Sequence, residues 1–309
     1  MSQNDHHHYF FIPVKSTSER IPGKNFKTVA GTGMKLYQIL PTNIIEAMNQ
    51  LNMKYTIIMD TDSQEVIDWS IDASRSKGVV NSRGTISYLT RNPRFCSNDF
   101  GGNFILRNAV SSLFHETYAV HNPKDVIWQC FVTTPYLSVD TVRSIVSVMD
   151  DIANRHILQA GRNLYHDSLL TVTSQQGFFW TSGLHPTPIG GYRPEIMLPT
   201  QEMPPLYKEI HGMFGITAEA FERYGCRTGD VPFFYNVPKS EAVDIDWEED
   251  AKNVFEKEDS ADSSSNMWSN LLANLRTQLI SDLNKIADRY SRSVRAVPQP
   301  QTGDQNDPR

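Results

Sequence analysis

Three cations, Lys15, Arg20 and Lys24, crowd into a short loop that directly follows the apolar run Phe10–Val14, in the stretch FFIPVKSTSERIPGKNF. Ser16, Thr17 and Ser18 place hydroxyls among them, and Gly23 lets a backbone pass close to a ligand. Lysine and arginine in such a loop are donors for phosphate oxygens, arginine in a two-pronged fashion. The combination suits an anion carrying several charges; the chemistry-free alternative is a solvated surface loop. Far downstream, AVDIDWEED offers Asp244 and Asp246 at alternate positions. If that segment is a strand, the two carboxylates share a face, where they are costly unless solvated or bound to a cation. Cations for phosphates and carboxylates for Mg²⁺ are the two halves of a nucleoside triphosphate site. For Asp246 alone there is a structural alternative, the cap of a helix starting at Trp247 with Glu249 completing a capping box. No GxxxxGK[ST] loop is present, and the GTG at Gly31–Gly33 is not a dinucleotide fingerprint.

The elements that would hold these residues follow from periodicity. Tyr9–Val14, Tyr55–Met59, Ile86–Leu89, Val126–Val132 and Ser168–Thr173 read as strands, and Lys35–Asn49, Gln64–Ser74, Asn103–Tyr118 and Val139–Ile157 as helices. This alternation predicts an α/β fold with a mostly parallel sheet and helices on both faces. In such a sheet ligands bind beyond the carboxyl ends of the strands, where the loop after Val14 begins. Residues 175–210 are rich in Gly, Pro and aromatics and predict long loops or an inserted β-arm. Strands near Gly212–Ile216, Phe233–Asn236 and Ala242–Ile245 and a helix over Glu248–Glu256 complete this domain, 9–256. Residues 257–266 read as a linker. Trp268, Leu272, Leu275, Leu279, Leu283, Ile286 and Tyr290 then mark an amphipathic helix over 267–293, docked on its own domain or pairing with another copy, before a tail at 294–309 with a disordered composition.

The 309 residues are 39% hydrophobic and 21% charged, with a net charge of −6. That balance argues against nucleic acid or an anionic membrane as partner. No apolar run approaches a membrane span, and Met1–His8 lacks the core of a secretory signal. Three dispersed cysteines, Cys96, Cys130 and Cys226, make no disulfide framework, which points to a reducing, cytoplasmic setting. The consecutive His6, His7 and His8 read as part of a disordered terminus, 1–8, in preference to a metal site.

The motifs resemble those of the cytidylyltransferases that make CMP-activated sugar acids, the acylneuraminate (CMP-sialic acid synthetase) family and more distantly the CMP-Kdo synthetases. IPVKSTSERIPGKN is similar to that family's loop, approximately IPARxxSxxxPGKN, and AVDIDWEED to its closing xIDIDxxED; VAGTGMKLYQI, IIMDTDSQEVID, FVTTPY and EIHGMFGI follow the family's order between them. The resemblance implies a three-layer, Rossmann-like nucleotidyltransferase sandwich, dimeric through an extended arm that residues 175–210 would supply. It implies transfer of CMP from CTP to an acidic acceptor with release of pyrophosphate. It places Lys15, Arg20 and Lys24 on the triphosphate, with Ser16, Ser18, Gly23, Asn25, Arg91 and Asp99 around the nucleotide, and it makes Asp244 and Asp246 the ligands of Mg²⁺ or Mn²⁺. Lys15 stands where the family has arginine. Phe131 stands where it has the glutamine of QPTSPL, so the acceptor is expected to be another nonulosonic acid, a deoxy-ketosugar acid or a phosphonate. Thr133, Thr134, Gln201, Tyr207 and Lys208 are candidate acceptor contacts, with Lys208 suited to a carboxylate. His211 reads as a structural histidine, and no general base stands out beyond Asp99. A sister sugar nucleotidyltransferase or glycosyltransferase and a non-catalytic nucleotide-binding scaffold are the competing functions.

Overall fold

The computed structural model describes residues 6–255, apart from 77, 98, 118–121, 162 and 253. The chain divides into two units, Met1–Glu256 and Lys257–Arg309; the expected linker, amphipathic helix and tail fall in the second, outside the described residues, and residues 1–5 of the first are outside them too. The first unit is built on β1 (His7–Val14), α1 (Leu36–Leu51), β2 (Lys54–Thr61), α2 (Gln64–Arg75), β3 (Gly84–Thr90), α3 (Gly102–Thr117), β4 (Val126–Cys130), α4 (Val139–Ala153) and β5 (Ser168–Gln175). A small hairpin of β6 (Phe179–Trp180) and β7 (Pro188–Ile189) follows, then β8 (Leu206–Thr217), α5 (Ala218–Tyr224), β9 (Pro232–Asn236) and the short α6 (Glu248–Ala251). Seven strands form one sheet in the order β3-β2-β1-β4-β8-β5-β9, and β8 alone runs antiparallel to its neighbours. The α/β architecture with a mostly parallel sheet is therefore as the sequence predicts.

The continuous apolar run of β1 has its reason in this sheet, because a strand with helices on both faces is buried on both. Phe10, Ile12 and Val14 join the core that includes residues of α1 and α4, while Phe11 joins the one that includes residues of α3 and α5. Trp128 at the sheet centre needs Gly215 beside it on β8, where an added Cβ would sit 2.8 Å from the indole. Among the described residues no helix is long and apolar enough to cross a membrane.

Two expectations change. The amino-terminal histidines are not disordered: β1 begins at His7, and His6 and His8 are 4% and 0% exposed. Both face Asp150 of α4, with His6 Nε2 at 2.8 Å and His8 Nε2 at 3.8 Å from the same carboxylate oxygen. The indole N–H of Trp128 donates to His8 Nδ1 over 3.1 Å. That bond puts the neutral ring's proton on Nε2, toward Asp150, so the trio is a buried acid–imidazole cluster and His8 offers no lone pair there for a metal. The second change concerns residues 242–245, which join no strand of the sheet; α6 is one turn, ending at Ala251.

Candidate active site

The carboxyl ends of the first three strands stop in one row. Val14 lies opposite Thr61 and Thr61 opposite Thr90. The loop after Val14 is tied to this row by Asp62, which accepts from the Ser16 backbone N–H at 2.7 Å and from its hydroxyl at 2.5 Å. Burial raises the Asp62 pKa, but these Ser16 bonds outweigh it and hold the carboxyl below its usual range. Asn25, buried, closes the loop by donating from Nδ2 to the Lys15 carbonyl at 3.0 Å. Gly23 turns the chain at φ +66°, a left-handed conformation that glycine adopts without strain, and caps the 3₁₀ turn Lys24–Phe26. Ser18 Oγ accepts from the Ile21 N–H at 3.4 Å, a local loop contact.

The loop reaches across the strand ends to the downstream aspartates. Lys24 Nζ donates to the Ile245 carbonyl at 2.5 Å and lies 3.5 Å from Asp246 Oδ1. Arg20 Nη1 lies 3.3 Å from Asp246 Oδ2, with its guanidinium 4.7 Å from the centre of the Trp247 ring. Residues 242–246 are positioned without a sheet ladder. The Ile245 N–H bonds the Thr133 carbonyl just beyond β4, and the Asp246 N–H bonds the Asp244 carbonyl at 3.2 Å. The helix-cap alternative for Asp246 fails, since Asp250 accepts from the Asp246 and Trp247 N–H groups and leaves the Asp246 side chain on the cations.

His211 is the residue that sequence reasoning set aside. Its Nδ1 is 2.8 Å from Asp244 Oδ2. The bond to Asp244 raises the His211 pKa against the opposing effect of burial. Burial raises that of Asp244, but bonds from His211 and Thr133 outweigh it and leave it lowered. Its signals in the sequence were its place in EIHGMFGI and at the head of an apolar run. Ligand atoms of His211, Asp244 and Asp246 lie within 4.8 Å of one another, and Asp244 Oδ1 is buried with no hydrogen-bond partner. An orphaned carboxylate oxygen beside a second carboxylate fits a hard divalent cation.

The remaining predicted residues scatter. Arg91 is buried and held bidentate by Asp60, Nε to Oδ1 at 3.1 Å and Nη2 to Oδ2 at 2.7 Å, with a third bond from Nη2 to the Asp60 carbonyl. Asp99 is exposed and accepts from Ser97 Oγ at 3.1 Å. Thr133 is the Asp244 partner already described, whereas Thr134 is fully buried and donates to the Phe131 carbonyl. Gln201 is exposed in a 3₁₀ turn, the Tyr207 ring lies tilted against Phe234 with centres 5.4 Å apart, and Lys208 is exposed opposite Thr173.

No protein-family model and no curated protein matches this sequence. Solved structures align with it at low identity. A CMP:2-keto-3-deoxy-manno-octonic acid synthetase complexed with CTP aligns over 79% of this chain and 95% of its own at 14% identity and a TM-score of 0.44. A 4-diphosphocytidyl-2C-methyl-D-erythritol synthase aligns over 80% and 97% at 9% identity and a TM-score of 0.45. A 4-diphosphocytidyl-2C-methyl-D-erythritol synthase from Anaerococcus prevotii DSM 20548 aligns over 80% and 95% at 10% identity and a TM-score of 0.46.

Proposed function

We propose that this protein transfers CMP from CTP to a small acidic acceptor, a nonulosonic acid, a deoxy-ketosugar acid or a phosphonate, with release of pyrophosphate. One observation carries the reading: Arg20 and Lys24 of the first loop meet Asp246, 222 residues from Lys24, at the carboxyl ends of parallel strands. The motif resemblance in both segments supports it. Lys15, Arg20 and Lys24 are the donors for the triphosphate and for the charge that grows on it as pyrophosphate separates. Ser16, pinned by Asp62, and Asn25, pinned to the Lys15 carbonyl, keep that loop in one shape, so the donors need no reorganisation. Asp244 and Asp246 would hold Mg²⁺ or Mn²⁺, and His211 fixes the orientation of Asp244. When bound, the ion supplies positive charge to phosphate oxygens and lowers the pKa of a hydroxyl near it.

The exposed Trp180, Leu184, Ile196 and Met197 of residues 175–210 support the expectation of a homodimer through this arm, which sedimentation of wild-type and Trp180→Ser protein would test. The described cysteines are all free, in keeping with a reducing compartment. The test of function is pyrophosphate release with CTP, against ATP, GTP and UTP, over a panel of acidic sugars and phosphonates with Mg²⁺. Arg20→Ala should lower turnover about 10²- to 10³-fold. Equal turnover with all four nucleotides, or none with any acid tried, would refute the proposal.

A further inference from the structure

Arg227 belongs to no motif singled out in the sequence, yet its guanidinium is set into a built environment. It lies over the Phe214 ring, 3.8 Å from its centre, and 5.8 Å from that of Phe131. Nη2 is 3.1 Å from Glu209, and the backbone N–H of Arg227 donates to Asn103 Oδ1 at the start of α3. The side chain is 20% exposed. Burial pulls its pKa down more than Glu209 restores it, so one carboxylate leaves this desolvated charge incompletely compensated.

A second polar group faces the same space. Gln129 is 1% exposed; its Nε2 donates to the Gly102 carbonyl at 2.8 Å, which fixes the amide orientation, and its Oε1 is buried without a hydrogen-bond partner. A Cβ placed on Gly102 would lie 3.6 Å from both polar atoms of the Gln129 amide and 3.8 Å from Arg227 Nη1. The absent side chain of Gly102 therefore leaves a small space bordered by a guanidinium donor, an amide acceptor and the amino end of α3, which favours negative charge.

Side-chain contacts link this corner to the aspartates. His211 is 5.8 Å from the Phe131 ring and 6.5 Å from the Phe214 ring, the two rings that Arg227 covers, and it bonds Asp244. From the cation loop the contacts run through Asp246, Asp244 and His211 to the aromatic pair and Arg227, a second cation separate from the phosphate donors. We propose that Arg227 receives the acid group of the acceptor, and that Gln129 Oε1 accepts an O–H or N–H of the same molecule. The substrate class is then a hydroxylated small acid whose carboxylate or phosphonate and hydrogen-bond donor are close together. Arg227 replaces Lys208 as the acid-reading cation. This inference rests on the cytidylyl-transfer reading for the identity of the site, but its test does not.

Calorimetric titration of the full chain with 2-keto-3-deoxy-manno-octonate and with N-acetylneuraminate, each beside its neutral methyl ester and with CTP titrated separately, measures binding without turnover. At least one acid should bind the wild type and its ester much more weakly. Arg227→Ala should weaken that acid about 10- to 100-fold, the range for a lost charge-assisted bond, with CTP affinity unchanged. Arg227→Lys should recover part of the loss, and Glu209→Gln should tighten the acid by removing a competing carboxylate. Neither acid binding, acid binding unaffected by Arg227→Ala, or a parallel loss of CTP affinity would overturn the inference. If the acid binds through Arg227 and no pyrophosphate is released with CTP, the inference stands and the proposed reaction falls.

Discussion

Lys24 and Asp246 form an ion pair at 3.5 Å, but their substitution should not have equal consequences for stability. Two unit charges near 4 Å apart attract by about 4 kcal/mol at an effective dielectric of about 20. Burial nevertheless lowers the Lys24 pKa on balance, against the opposing pull of Asp246, so desolvation cancels the ionic gain. What Lys24 contributes is then mainly its charge-assisted bond to the Ile245 carbonyl, about 1.5–3 kcal/mol. Lys24→Met keeps the stem, loses that bond, and should cost about 2–3 kcal/mol. Asp246, with 35% of its side chain exposed, has only screened pairs, with Arg20 and Lys24, to lose, and Asp246→Asn should cost at most about 1 kcal/mol. Activity should follow another order, both variants falling about 10²- to 10³-fold in pyrophosphate release because both groups are at the site. Urea unfolding at constant m gives the first comparison and a coupled phosphate assay at saturating CTP the second. A greater stability loss for Asp246→Asn than for Lys24→Met would refute the desolvation argument. Turnover within about tenfold of wild type in either variant would refute its placement at the site.

Two further outcomes are expected. Arg91→Met should cost about 3–5 kcal/mol by leaving Asp60 buried and uncompensated, and Arg91→Met with Asp60→Leu should recover most of it, as read by urea midpoints. At Asp150, burial raises the carboxyl pKa, but bonds from His6 and His8 outweigh it and hold the pKa below the unfolded value of 3.8. A depressed acid contributes stability above its unfolded pKa and loses it as pH falls through the folded one. The stability gap between wild type and Asp150→Asn, from urea midpoints between pH 7 and pH 3, should therefore narrow below about pH 4.

The competing roles for particular residues separate where long-range contacts enter. Asp60 and Asp62 stand in IIMDTDSQEVID with no role that the sequence separates, and the fold gives one to Arg91 and the other to Ser16. The histidines at the start of the chain looked like a solvated terminus, because a polar triplet carries no periodic signal for burial. Only the pairing of β1 between β2 and β4 brings His8 to Trp128 and Asp150. The strand expected over residues 242–245 failed because its alternation reflects aspartates that face His211 and the cation loop and a buried Ile245, with one bond to Thr133 in place of a ladder. α5 escaped notice, since seven residues give too few turns for a period to register.

Local chemistry in the sequence was enough to determine the alternation of strands and helices, the mostly parallel character of the sheet and the identity of the cations and aspartates, because hydrophobic period acts over a few residues. Tertiary structure alone decided that Arg20 and Lys24 face Asp246, that His211 serves Asp244, and that Arg227 covers Phe214 beside Gln129. Those neighbours are 222 residues apart for Lys24 and Asp246 and 33 for His211 and Asp244. Their meeting depends on which strand ends the sheet order brings side by side, a property that no short window of sequence contains.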